Sequence, residues 1–349
     1  MLQPKPPGAV RIPASVRGGF ALAIAIGCWV AWAIVTRSGM KAGYSPWDLA
    51  FLRFLVAGVV LAPVLWRMGL KDTPWWAVIV ITLGAGPGYV AFAYSGAALA
   101  PASHVATLTA GVLPLFTTLL TLMLKLERIT RLKWIALSLI VGGAAFFLLD
   151  SANGATASGA DHTRMWLGDL LLMGGPLMWA FFTVTVRALG INPFRSTAII
   201  SVFGLLSYGP IYLALGNPAV FLKIDPWITV GQGLFHGIVV VVVALACFTY
   251  SVRILGPVLT TLGTAAVPAI TTLLAVPLLG EAISGMEAIG VTLDTIGLCL
   301  VAVAAASVRN GKIATPRPSP IRPRPEAAET VADQCHVTEK TAGGTPQAL

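Results

Sequence analysis

PAITTLLAVPLLGE, residues 268–281, ends on a carboxylate, and so does PLFTTLLTLMLKLE, residues 114–127. Proline, the Thr-Thr pair, three leucines and the closing Glu recur at an offset of 154. The repetition extends beyond the phrase. Tyr94, Ser95, Leu99 and Pro101 match Tyr250, Ser251, Leu255 and Pro257, and Gly143 follows Glu127 at the same distance as Gly297 follows Glu281. Trp29 precedes Arg37 as Trp179 precedes Arg187, and Pro46 and Pro63 are spaced like Pro193 and Pro210. Four such matches in one order make the chain a tandem duplication, its offset drifting between 147 and 156 as loop lengths change.

The solvent around the duplicated unit is lipid. Of 349 residues 56% are hydrophobic, only 11% are charged, and the mean hydropathy is +0.83. A soluble domain of this length needs far more charge on its surface. Apolar segments of about 20 residues, enough to cross a bilayer as helices, recur at 19–36, 48–66, 74–94, 99–123, 132–149, 166–186, 196–215, 228–250, 256–279 and 285–307. The alternating ten-residue strands of an outer-membrane barrel are not visible. The fold class expected is an all-α membrane protein with ten transmembrane helices, arranged as two five-helix repeats over 19–149 and 166–307. Between them, 150–165 reads as an external loop. Residues 1–18 and 308–349 read as disordered basic tails, because a Pro- and Arg-rich stretch such as RNGKIATPRPSPIRPRP cannot bury a core.

Five spans per copy is an odd number, so the second copy must enter the bilayer from the opposite side. The halves are then related by a twofold axis in the membrane plane, a recurrent design of secondary carriers. Charge sets the orientation. With both termini in the cytoplasm, the tails and inner loops carry 18 Lys and Arg residues against four on the outside, Arg37, Lys41, Arg164 and Lys223. That asymmetry follows the positive-inside rule. It reads the net charge of +9 as a topology signal, and no nucleic-acid partner is expected.

GCWVAWAIV in the first helix, LAFLRF in the second, YSGAALAP before the fourth, and a proline followed thirteen residues on by Glu and a Gly-containing helix resemble the EamA-type drug/metabolite transporter family. The resemblance covers about 19–307. It implies a ten-helix secondary carrier that exports or exchanges amino acids, metabolites or drugs. Leu126 stands where the family often has Gly before the Glu, while the second copy keeps Gly280.

Arg53 lies inside the second span, where a charge is costly without a partner or a water-filled cavity. It reads either as an anchor for a substrate carboxylate or phosphate, or as a strut between helices. His104 and His236 titrate in a range suited to proton coupling, or serve as hydrogen-bonded packing. Asp294, in the middle of the last span, reads as a protonatable relay or as an acid bonded within the bundle. Asp169 opens the sixth span and reads as a helix cap. Pro114 and Pro268 break two helices at matched positions, and matched breaks point to a transport site. Thr107 and Thr264 stand close to these breaks. Trp29, Trp32, Trp179 and Tyr89 lie away from the interfacial aromatic belts and offer surfaces for a flat or apolar substrate.

No catalytic set, metal-ligand spacing, disulfide framework or Walker loop is visible, so neither cofactor nor metal is expected. The reading is a carrier in the inner membrane, working by alternating access on small metabolites, amino acids or related compounds, in the export direction. Its partners are a small-molecule substrate and the bilayer, with protons a candidate coupling ion. Two alternatives stay open: a sensor or scaffold acting through its C-tail, and an intramembrane lipid-modifying enzyme.

Overall fold

The computed structural model describes residues 13–71, 73–126, 129–153 and 162–309. Most of both tails, the centre of the 150–165 loop, Glu127 and Cys335 lie outside the described residues. Ten helices are long and apolar enough to cross a membrane. They are α1 (Ala14–Lys41), α2 (Pro46–Met68), α3 (Trp75–Leu99), α4 (Ala102–Met123), α5 (Arg131–Ala152), α6 (Arg164–Ala188), α7 (Pro193–Leu215), α8 (Pro226–Leu255), α9 (Leu259–Leu279) and α10 (Gly285–Ser307). All ten coincide with the apolar segments. Helix α1 starts before residue 19, and α5 and α6 run into the expected 150–165 loop, because interfacial turns accept polar residues that a hydropathy window rejects.

Local signals explain several starts. Ser45 and Asp48 form a capping box ahead of Pro46 at the first turn of α2, satisfying amide donors that a helix start leaves open. Asn192 caps α7 by accepting from Phe194 and Arg195, again with a proline in the first turn.

The packing carries the twofold relation. Helix α5 runs antiparallel to its own counterpart α10 through glycine contacts. A Cβ on Gly143 would lie 2.8 Å from the Gly290 carbonyl oxygen, and one on Gly297 would lie 2.9 Å from that of Ala136. Shifting the first contact by 154 residues in each partner generates the second. Helices α2 and α7, also counterparts, cross antiparallel through Gly58 on Leu205 and Gly204 on Phe54. Counterparts that run in opposite directions require an axis perpendicular to the helices, so the repeats are inverted. Small residues at these crossings let backbones approach where lipid supplies no hydrophobic drive for association.

Four spans are interrupted, and they form two counterpart pairs. Helix α3 breaks at Gly86, where a Cβ would collide with the Thr82 carbonyl. Helix α8 carries a π-helical stretch, Phe235–Val243, at the corresponding level. Helix α4 carries a shorter one, Thr107–Gly111, before Pro114, and α9 breaks between Thr264 and Val267, before Pro268. The spans α1, α2, α5, α6, α7 and α10 are each one continuous α-helix.

Candidate functional site

Two groups of buried polar side chains gather at the interrupted helices, with no hydrogen bond between them among the described residues. The first joins both halves. The Trp32 indole, on α1, donates to the Tyr94 hydroxyl at 3.3 Å, and that hydroxyl lies 2.9 Å from His236 Nδ1 on α8. An indole N–H can only donate, so Tyr94 accepts from Trp32. With the Tyr94 proton given to Nδ1, a neutral His236 carries its own proton on Nε2. His236 is fully buried, and Nε2 has no partner among the described residues.

Arg53 stands beside this histidine. Its charge acts on both His236 and Tyr89, and Gly237 of α8 packs against Val56 and Ala57 of α2. Arg53 is 8% exposed, and its buried Nε has no hydrogen-bond partner among the described residues. Leaving a buried donor unsatisfied costs roughly 1–3 kcal/mol. Here two such donors, Arg53 Nε–H and His236 Nε2–H, occur on neighbouring helices. An aromatic pair lies in the same part of the bundle. Tyr89 follows the α3 break and meets Trp179 edge-on at 5.1 Å.

The second group gathers at the end of the bundle where α3 meets α4. His104, in the first turn of α4, places Nδ1 2.7 Å from Asp169 Oδ1 and Nε2 2.9 Å from Glu287 Oε1. Glu287 also accepts from Ser103 and from the Ser284 amide, Asp169 accepts from Ser151, and the Ser284 hydroxyl reaches Asp150 at 2.7 Å. Nearby, Glu281 joins three elements. It pairs with Arg37 of α1 at 3.3 Å and accepts the Ala102 amide at 2.8 Å, at the N-terminus of α4, where the helix dipole favours an anion.

The sequence-named residues therefore divide. Arg53, Trp32, Tyr89, Trp179 and His236 come together in the first group, and His104 belongs to the second. Trp29 meets Phe248 at a tilt, ring centres 5.3 Å apart, one turn from Trp32. Thr107 is fully buried in the α4 π-stretch with a hydroxyl that has no partner among the described residues, whereas Thr264 bonds back to the Thr261 carbonyl. Asp294 faces Gly111 and Gly143, too close to Gly111 for a Cβ there, and neither carboxylate oxygen has a partner among the described residues. Asp169 is no helix cap; it is fully buried and holds His104.

Sequence reasoning missed Tyr94, Asp150 and Glu287. The available signal was positional: His104, Asp150, Asp169 and Glu287 all lie within two turns of span ends on one side. A separate cavity of about 570 Å³ opens between the start of α2 and the end of α7, lined by Trp47, Asp48, Tyr208 and Tyr212. None of the sequence-named residues lines it.

No curated protein sequence matches the chain. Sixteen solved chains do. One, titled only as the crystal structure of a protein, superposes with a TM-score of 0.55 at 22% identity, covering 84% of this chain and 97% of its own. That likeness speaks for the fold. A model of the EamA-like transporter family matches residues 16–149 and again 166–303, the two inverted five-helix units. The chain belongs to the EamA-like transporter family and is a multi-pass membrane transporter of small solutes.

Proposed function

We propose that the protein is a secondary carrier in an inner membrane, with both termini cytoplasmic, that exports small metabolites bearing a carboxylate, amino acids foremost, by alternating access. One observation carries the substrate class: Arg53 is buried without a hydrogen bond or ion pair among the described residues, and the unpartnered His236 Nε2 lies in its neighbourhood. A charge in mid-membrane costs about 2.5–3.5 kcal/mol on insertion scales and marks a substrate or ion path. A carboxylate would supply the missing counter-charge and accept from both donors, and charge-assisted bonds of this kind are the stronger ones. The Tyr89–Trp179 surface would hold the apolar part of the solute.

Alternating access draws support from the matched interruptions in α3 and α8 and in α4 and α9, the arrangement in which one half can exchange conformation with the other. Asp294 is the candidate coupling group, its unpartnered carboxylate set against the end of the α4 π-stretch. Counterflow in proteoliposomes tests the reading. Labelled amino acids should exchange against an excess of the same solute, amides and amines of equal size should not compete, and Arg53→Met should abolish exchange. Equal competition by uncharged analogues would overturn the carboxylate assignment.

A further inference from the structure

The carboxylates around His104 outnumber their cationic partners among the described residues. Asp150, Asp169 and Glu287 are each buried, with Asp150 and Asp169 fully so. The ion pairs of Asp169 and Glu287 both go to His104. One imidazolium cannot offset three carboxylates, and unpaired buried charge is expensive. Asp150 makes the shortfall specific. Its Oδ1 accepts from Ser284, while Oδ2 is buried and has no partner among the described residues.

We propose that His104, Asp150 and Glu287 form a site for a divalent first-row cation of the Zn2+ or Mn2+ kind. One donor atom from each of the three lies within 4.8 Å of the others. Donors bound about 2.0–2.2 Å from a common ion lie roughly 3–4 Å apart, so side-chain rotation closes the set. The cation would replace the hydrogen bond between His104 Nε2 and Glu287 Oε1. Asp169 takes the orienting role, since it holds His104 Nδ1 at 2.7 Å and leaves Nε2 to ligate, the carboxylate–histidine–metal relay common at such sites. An imidazole among the donors and only three protein ligands separate this set from Ca2+ and Mg2+ sites, which are built from oxygen. The ligands come from the first turn of α4, the last turn of α5 and the first turn of α10, close to the end of the bundle, the side from which an ion would enter. Nothing in this site depends on the solute carried.

The test uses the full-length, untagged protein in detergent, stripped with a chelator, in a Cys335→Ser/His336→Ala background so that the tail does not bind metal. Equilibrium dialysis against ZnCl2 or MnCl2 should leave one ion per chain. The melting temperature should rise by several degrees at about 100-fold excess over Kd, with no comparable rise in MgCl2 or CaCl2. Asp150→Asn keeps the acceptor used by Ser284 and changes only the unpartnered atom. It should melt within a degree or two of the stripped parent and lose the metal-dependent rise, and Glu287→Gln should lose it too. Absence of bound metal in the parent, an equal rise in Asp150→Asn, or an equal response to Mg2+ would each overturn the proposal.

Discussion

The two halves of the molecule share their packing and differ in their chemistry. The Gly143 and Gly297 crossings are copies of each other, and Pro114 and Pro268 follow breaks at matched levels. Apart from Glu281, which repeats Glu127, the buried ionisable groups of the two clusters have no such echo. At the repeat offsets, Arg53 corresponds to Ile200, His104 to Thr260 and Asp294 to Ile140. What is written twice serves the mechanics of the bundle, where either half must do what the other does. What is written once makes a site that need be built only once.

Turning a unique residue into its repeat counterpart breaks that contrast most directly. His104→Thr gives the first half the side chain of the second, where Thr260 is buried and bonded to its own helix. Asp169 and Glu287 would lose their only ion-pair partner among the described residues. Removing one member of a buried ionic set costs about 3–5 kcal/mol, so a large fall in the detergent melting temperature is expected. The reciprocal change, Thr260→His, should fail to compensate in the double variant. A loss under about 1 kcal/mol would mean that the carboxylates are not held ionised by His104.

Arg53→Lys keeps the charge and loses the fork that fits a carboxylate. Because Arg53 Nε bonds to no described group, folding should hardly change, while solute affinity falls by about 1–3 kcal/mol. Melting curves and solute titrations on the same variant read the two effects apart. A stability loss with unaltered affinity would return Arg53 to the role of a strut.

The shared part of the contrast is sharpened at the glycines. Gly143→Ala and Gly297→Ala each push a methyl to within 3 Å of a carbonyl oxygen on the facing helix, and overpacking costs about 1–3 kcal/mol. The twofold relation expects near-equal losses in melting temperature. Losses differing by more than about 1 kcal/mol would show that the two crossings are not equivalent in solution.

The repeat and the ten spans were legible because lipid imposes length and hydropathy on every helix, and a doubled phrase needs no three-dimensional information. Arg53, Tyr89 and His236 could be named because an ionisable or aromatic residue inside an apolar span stands out. Their association could not be read, since Tyr94 and His236 are 142 residues apart. Glu287 and Asp150 escaped for a different reason. Each lies in the terminal turn of a span, where a carboxylate is ordinary, and only the folding of α4, α5 and α10 to one place makes them partners of His104. Asp169 was misread as a cap for the same reason.

The finest difference between the halves is one residue of turn geometry. Helix α9 ends on Gly280, which is left-handed at φ +69, and the Glu281 amide reaches back to the Ala275 carbonyl at 3.4 Å. Leu126 fills the equivalent place in the first half, and a leucine there would carry the cost of left-handed backbone. The chain turns one residue earlier instead. Lys125 takes φ +54, and the Leu126 amide reaches the Thr121 carbonyl at 2.8 Å. Both turns return to the equivalent carbonyl, Thr121 or Ala275, but the first closes one residue shorter, as a six-to-one bond, and is made by a residue with a Cβ. A non-glycine in that region is strained by on the order of 1 kcal/mol. Lys125→Gly should therefore raise stability by a few tenths to about 1 kcal/mol, offset in part by the freer unfolded chain, while Leu126→Gly should give less because Leu126 is not the left-handed residue. Melting temperatures of the two variants, measured side by side, decide it. Greater stabilisation from Leu126→Gly would mean that the first turn adopts the register of the second once glycine permits it.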